Sequence, residues 1–189
     1  MPFDESSIQY KIARAAAVIT GLAEQTPEIH AAITTIRTCL EAGGTIYTAG
    51  NGGSAAEALH LAEELIGKYK KPRKPLRAVC LNADPTALTC IANDFGYEQV
   101  FARQLEGLAR QGDCLVVFST SGNSANIQIA LEGARSFGVT TIGLLGKAGG
   151  PCAPLCDHPL IVRADETEHI QEAHQVILHL ILEGVESTT

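Results

Sequence analysis

The stretch Thr45 to Ser54, TIYTAGNGGS, decides the fold of this chain. A short apolar run of strand character enters a glycine-rich turn, and a helical pattern follows directly. Such a turn presents the unpaired N–H groups and the positive dipole end of a helix to an anion. Ser54 and Glu57 have the spacing of a capping box, which predicts that the helix begins at Ser54.

A second turn of the same chemical character lies far along the chain. Ser119-Thr120-Ser121-Gly122-Asn123-Ser124 follows an apolar run and precedes another helical pattern, whose predicted cap is Ser124. Asp84 before Pro85 predicts a further helix start, and Asp165 with Glu168 predicts the start of the last helix. Two such turns on one sheet predict a phosphorylated ligand. Ligands of open α/β sheets bind outside the carboxyl ends of the strands, and a predicted loop at Asn93-Asp94-Phe95-Gly96 should reach the same edge.

The alternation of apolar runs and helical patterns predicts an α/β fold. The runs lie at 45–49, 78–81, 114–118, 141–145 and 160–162. This order is typical of βαβ units, so we expect a five-stranded parallel sheet with helices on both faces, a three-layer αβα sandwich. Two amphipathic helices precede the first strand. We expect a single domain over 1–189, with these helices in 1–42 and the α/β core in 43–189.

Composition limits the function classes. The chain has 189 residues, 46% of them hydrophobic, and a formal net charge of -7. It has no block of cations, so it should not bind nucleic acid. No apolar stretch approaches the roughly 20 residues of a membrane span, and no signal peptide precedes the fold, so we expect a cytoplasmic protein. Cys152, Cys156 and His158 could imitate a metal clip, but no second pair completes it, which favours core cysteines.

Two helices carry residues that could perform chemistry. His60 and Glu64 are four residues apart and share a face of the helix after the glycine turn. Gln171, Gln175 and His179 recur at helical spacing near the C-terminus. His179 lies among apolar residues, and from the residues alone a hydrogen-bonded core histidine is the more common interpretation.

Two nucleotide-binding interpretations of the glycine turns are weak. Gly50, Gly52 and Ala55 fit a loose dinucleotide fingerprint, but the second strand ends at Leu81-Asn82 without the acidic residue that would hold a ribose. The segment Gly143 to Ala148 has the wrong spacing for a Walker loop and has no Ser or Thr after its lysine.

The motifs taken together resemble the phosphoheptose isomerases, a branch of the sugar isomerase (SIS) fold. The resemblance is carried, in order over nearly the whole chain, by Gly50 to Ser54, His60 with Glu64, Asn93 to Gly96, Ser119 to Ser124, Gly146-Lys147, and Ile170-Gln171-Glu172 with His179. The turn Ser119 to Ser124, here called the hydroxyl turn, is typical of SIS domains generally. The His60/Glu64 and Gln171/His179 pairs mark this branch.

The resemblance implies an aldose-ketose isomerase. It would convert sedoheptulose 7-phosphate to D-glycero-D-manno-heptose 7-phosphate through an enediol, the first step towards heptose precursors of lipopolysaccharide, with Glu64 as base and His179 as acid. One zinc ion per chain would bind His60, Glu64, Gln171 and His179. The implied substrate contacts are Asn51, Gly52, Gly53, Ser54, Glu64, Asn93, Asp94, Ser119, Thr120, Ser121, Ser124, Glu168 and Gln171.

Similar proteins are homotetramers with sites built between subunits, which implies that residues 1–42 serve in oligomerisation and that His179 meets Glu64 across an interface. The alternative is a non-catalytic SIS module that binds a sugar phosphate or a protein such as a replication initiator. Modules of that kind lack the equivalent of Glu64, which this chain keeps, so an enzyme is favoured.

Overall fold

The computed structural model describes residues 3–187. Its helices are α1 (Glu5–Gly21), α2 (Thr26–Glu41), α3 (Gly53–Ile66), α4 (Pro85–Phe95), α5 (Ala102–Leu108), α6 (Ala125–Ser136) and α7 (Thr167–Glu186). Its strands are β1 (Ile46–Gly50), β2 (Ala78–Cys80), β3 (Cys114–Ser119), β4 (Thr140–Gly146) and β5 (His158–Val162). Short 3-10 turns lie at Leu22–Gln25, Tyr97–Gln99 and Gly150–Leu155.

All five strands pair in parallel, in the order β2-β1-β3-β4-β5. The central pair places Gly50 at the end of β1 opposite Phe118 near the end of β3. The glycine turn and the hydroxyl turn therefore leave the sheet side by side. This arrangement confirms the predicted five-stranded parallel sheet.

The sheet separates two apolar layers because successive strand residues point to opposite faces. On one face, Ile46, Val116 and Phe118 pack with buried residues of α2, α3 and α7. On the other face, Leu115 and Val117 pack with buried residues of α4, α5 and α6. The predicted αβα layering is therefore confirmed, and α7 packs against α1, α2 and α3.

Three local predictions are wrong. Helix α3 begins at Gly53 with Gly52 as its cap at φ 58°, and Glu57 turns into the core, so Ser54 and Glu57 form no capping box. Asn93 and Asp94 are not in a loop: they belong to the last turn of α4. Helix α7 begins at Thr167, so Asp165 lies before its cap. The predicted caps Asp84 and Ser124 are confirmed in position.

The two leading helices differ in their burial. Helix α2 buries an apolar stripe against the core, whereas α1 has no buried residue. Ile8 is 46% exposed and Ile12 is 64% exposed, so apolar residues in the first half of α1 are uncovered in a single chain. Within residues 3–187, no helix combines the length and the apolar character needed to cross a membrane.

Candidate active site

Side-chain amides brace the glycine turn at the carboxyl edge of the sheet. Asn82 accepts a hydrogen bond from Gly50 N at 3.1 Å and donates Nδ2 to Gly50 O at 2.9 Å. Asn51 exchanges two amide hydrogen bonds of 2.9 Å with Asn126 in the first turn of α6. The Tyr97 hydroxyl donates to Asn51 Oδ1 at 2.9 Å. The turns after β1, β2 and β3 thus form one braced edge.

The sequence patterns missed Asn82, Asn126 and Tyr97. An asparagine directly after an apolar strand run was the available signal for Asn82, because Asn side chains commonly bond nearby turn backbone. Asn126 follows Ser124 within a recognised turn and helix start, but its partner 75 positions away had no local signature.

The backbone of the glycine turn has little room for side chains. A Cβ at Gly50 would collide with the Ser54 backbone, and Gly52 has a φ of 58°, which glycine adopts without strain. Gly53 lies in the first turn of α3, where the N–H groups lack helical partners. Ser54 is only 3% exposed, which places its side chain within the protein.

The hydroxyl turn is shaped by its own serines. Gly122 N donates to Ser119 Oγ at 3.1 Å, and Asn123 N donates to Ser121 Oγ at 3.2 Å. Gly122 packs against the backbone at Gly149, too closely for a Cβ. Ser124 is the N-cap of α6 but makes no side-chain capping bond. The turn is therefore fixed before any ligand binds, with Ser124 beside the free end of a helix.

Three of the residues with candidate chemical roles lie close together on the C-terminal halves of α3 and α7. His60 Nε2 lies 3.7 Å from Glu64 Oε1, and their side chains are 30% and 20% exposed. The His179 ring approaches the His60 ring edge-on, with centroids 5.4 Å apart at 77°. The Tyr69 ring stacks on His179, with centroids 5.7 Å apart at 17°. His179 is thus in contact with this group within one chain.

Donor atoms of His60, Glu63 and Glu64 lie within 4.8 Å of one another. Among the described residues, these three side chains form the group of His, Cys, Asp or Glu that is close enough to hold a metal ion. Imidazole and carboxylate together suit zinc and similar divalent ions. Glu63 was not among the predicted ligands, and it is exposed.

Gln171 lies elsewhere on α7. Its side-chain amide lies against Gly53, so closely that a Cβ there would overlap it. Eight residues of helix, about 12 Å, separate Gln171 from His179. Helices α3 and α7 run in the same direction here, with Gln171 beside the glycine turn and His179 beside His60. The structure therefore places Glu64 and His179 each beside His60, whereas the compact group of donor atoms contains His60 and Glu64 but not His179.

A buried polar pair lies between these two contacts. Glu57 Oε2 is 3.8 Å from His174 Nδ1, and the residues are 4% and 0% exposed. Neither side chain has a hydrogen-bond partner among the described residues. The sequence pattern predicted a capping role for Glu57, and only the structure shows that it is buried beside His174.

Three further predicted substrate residues, Asn93, Asp94 and Glu168, are exposed. Asn93 Nδ2 donates to Asp94 Oδ1 at 2.7 Å, and both residues are exposed at the end of α4. Glu168 pairs with Lys11 Nζ at 2.6 Å, and this hydrogen bond lowers the pKa of Glu168. Glu168 thereby ties the start of α7 to α1.

Cys152 and Cys156 are core cysteines, as expected. Burial raises the pKa of Cys152 to about 11 and that of Cys156 to about 12, which favours the neutral thiols of core cysteines. His158 Nε2 lies 3.0 Å from Thr35 Oγ1, a contact with α2.

Comparison with known proteins agrees with this geometry. Residues 9–146 match the SIS domain family. A phosphoheptose isomerase from Citrifermentans bemidjiense is 45% identical over 170 residues, covering 89% of this chain and 88% of the relative.

Two solved structures are similar over almost their full length. The phosphoheptose isomerase GmhA from Neisseria gonorrhoeae has a TM-score of 0.92 at 35% identity, covering 97% of this chain and 98% of that one. A phosphoheptose isomerase from Francisella tularensis has a TM-score of 0.93 at 31% identity, covering 96% and 97%. The chain therefore belongs to the SIS domain family and, within it, to the phosphoheptose isomerases.

Proposed function

We propose that this chain isomerises sedoheptulose 7-phosphate to D-glycero-D-manno-heptose 7-phosphate, as the first step of heptose precursor synthesis for lipopolysaccharide. Similarity to phosphoheptose isomerases over most of the chain supports the substrate. The observation that carries the chemistry is the meeting of His60, Glu64 and His179 on two packed helices.

The reaction needs two proton transfers, which a carboxylate and an imidazole can perform. Glu64 takes a proton from C1 of the ketose and returns it to C2. His179 gives a proton to the oxygen on C2 and accepts the one on the C1 hydroxyl. The carbonyl thus moves from C2 to C1 through an enediol, and no net oxidation occurs.

The two turns would bind the phosphate. They lie side by side at the sheet edge, and the starts of α3 and α6 present backbone N–H groups there. Thr120, Ser121 and Ser124 add hydroxyl donors, and Asn51 is held in place by Asn126. A sugar whose phosphate binds at this edge would extend along α3 and α7 towards Glu64.

Zinc is part of the proposal. His60, Glu64 and His179 provide the imidazole and carboxylate donors that zinc accepts, and the position of Glu64 and His179 beside His60 supports such an ion. A bound divalent ion would polarise the carbonyl and enediol oxygens as a Lewis acid. Gln171 lies about two helical turns away, beside Gly53, so its part in the same ion site stays a prediction that the zinc content of Gln171→Ala would test.

We also propose a homotetramer, located in the cytoplasm. The uncovered apolar residues of α1, with Ile12 at 64% exposure, support burial of this helix between subunits. The free cysteines of the described chain suit a reducing compartment. Sedimentation at micromolar concentration should give four times the 19.9 kDa chain mass, and a monomer would contradict the assembly.

Incubation with sedoheptulose 7-phosphate tests the function itself. We expect an aldoheptose phosphate, detected by the NMR signal of its anomeric proton. Binding of the sugar phosphate without turnover would instead support the alternative, a non-catalytic SIS module.

A further inference from the structure

The loop between α3 and β2, residues 67–77, is held against the end of α7 by one buried carboxylate. Glu186 accepts hydrogen bonds from the backbone N–H groups of Tyr69, Lys70 and Lys71 at 2.9, 2.8 and 3.0 Å. Arg73 Nε donates to the same carboxylate at 3.0 Å, and both side chains are about 5% exposed or less. Burial opposes ionisation of Glu186, but these donors outweigh it and lower its pKa to about 2.

Arg73 joins this carboxylate to the helix that carries Glu64. Its Nη2 donates to Glu64 O at 2.6 Å, and its Nη1 donates to Leu65 O at 2.8 Å. These carbonyls lie in the last turn of α3, where no helical N–H reaches them and where a cation is favourable. Glu186 and Arg73 therefore fix the loop and the backbone of Glu64 at once.

The same loop fixes the ring that covers His179. Tyr69 has its N–H on Glu186 and its ring stacked on His179 at 5.7 Å. His60 contacts the His179 ring edge-on at 5.4 Å. His179 and Glu186 are two helical turns apart on α7, so the loop spans one face of that helix. The imidazole lies between two rings that α3 and the loop hold in place.

We propose that Tyr69 is a positioning residue for His179, and that Glu186 and Arg73 hold it there. The inference rests on the proposed role of His179 as proton carrier. The imidazole must direct one ring nitrogen at the sugar oxygens, and stacking on a fixed aromatic ring restricts its rotation. The phenyl ring supplies this restriction, whereas the Tyr69 hydroxyl is not required.

Four variants test the proposal. Tyr69→Leu removes the aromatic ring, Tyr69→Phe keeps it, and Glu186→Gln removes the charge that holds the loop. Glu183→Gln is the matched control, because Glu183 pairs with Lys70 of the same loop but is 59% exposed. Turnover and KM are measured with sedoheptulose 7-phosphate, and the His179 ring signals are followed by NMR on protein with labelled histidine, assigned with His179→Asn.

The proposal predicts a specific split. Tyr69→Leu and Glu186→Gln should lower kcat by about 10- to 100-fold with KM within about twofold, since the phosphate turns are untouched. The His179 signals should lose their ring-current shift in Tyr69→Leu. Tyr69→Phe should restore the shift and most of the turnover, and Glu183→Gln should match wild type in both readouts.

Unchanged His179 signals in Tyr69→Leu would overturn the stacking. A lost shift with unchanged kcat would overturn its value for catalysis. If the wild-type protein shows no turnover, the proposed function fails, and the NMR comparison still decides whether Tyr69 and Glu186 fix the His179 ring.

Discussion

His60 and His179 lie edge to face, with ring centroids 5.4 Å apart, although 119 positions separate them in the chain. Glu64 is on the same face as His60, one helical turn later. This contact brings the candidate proton carriers of α3 and α7 together in one group of side chains. We predict that this group binds a metal ion.

The protein should contain close to one divalent ion per chain, and His60→Ala should lose most of it. His30→Ala is the control, because His30 is exposed on α2. Elemental analysis of purified protein measures both. Full activity after chelation, with no metal in the wild-type protein, would leave the three side chains as an acid and base group alone.

The phosphate prediction concerns Thr120. Thr120→Val keeps the shape of the side chain but removes a hydroxyl donor, which should cost about 1.5 to 3 kcal/mol of binding to a charged phosphate. Affinity for the substrate should fall about tenfold or more. Ser136→Ala, at the far end of α6, is the control for a lost hydroxyl. An unchanged KM in Thr120→Val would exclude this turn from the phosphate site.

The hydrogen bonds of the Glu186 carboxylate to the loop at 67–77 predict a pH-dependent stability of the fold. The pKa of Glu186 falls from 4.5 to about 2 on folding, so the ionised carboxylate stabilises the protein above pH 4.5 and this contribution is lost as the pH falls towards 2. Glu186→Gln should therefore lower the free energy of unfolding by about 3 kcal/mol at pH 7.

The difference should shrink as the pH is lowered from 4.5 towards 2. Urea unfolding at fixed chain concentration measures it, with Glu183→Gln as the exposed comparison. A difference that stays constant down to pH 3 would show that the Glu186 carboxylate does not stabilise the fold through its charge.

The buried pair on α3 and α7 predicts non-additive stability. His174→Leu alone leaves the Glu57 carboxylate buried without its partner and should cost about 3 kcal/mol or more. Adding Glu57→Leu should recover much of that loss, because both polar groups are then absent. Additive losses in the double variant would show that the two side chains do not interact.

Much of this fold could be predicted from local patterns. The glycine turn, the apolar runs and the Asp84 cap each depend on neighbouring residues, and each lies where it was expected. The capping box at Ser54 and Glu57 was wrong because Gly52 allows the helix to start earlier and Glu57 is drawn towards His174. Local patterning cannot reveal such a contact between distant helices.

The candidate site shows the same limit. The spacing of His60 and Glu64 and the recurrence of polar residues on α7 could both be recognised in the sequence. The hydrogen bonds of Glu186 with the Tyr69 N–H and with Arg73 Nε had no local signal, since they join positions more than 110 apart. The stacking of Tyr69 on His179 depends on these hydrogen bonds of Glu186.

Solvent deuterium wash-in at the carbons beside the carbonyl tests the central claim, that Glu64 removes the proton. Glu64→Gln keeps nearly the same shape and can still form hydrogen bonds, but it cannot take a proton from carbon, and general base catalysis is worth about 10²- to 10⁴-fold. Glu106→Gln, an exposed carboxylate change on α5, is the control. Wild-type protein and the control should exchange, whereas Glu64→Gln should bind substrate and not exchange. Exchange at the wild-type rate in Glu64→Gln would contradict the account and leave His179 as the first candidate for the base.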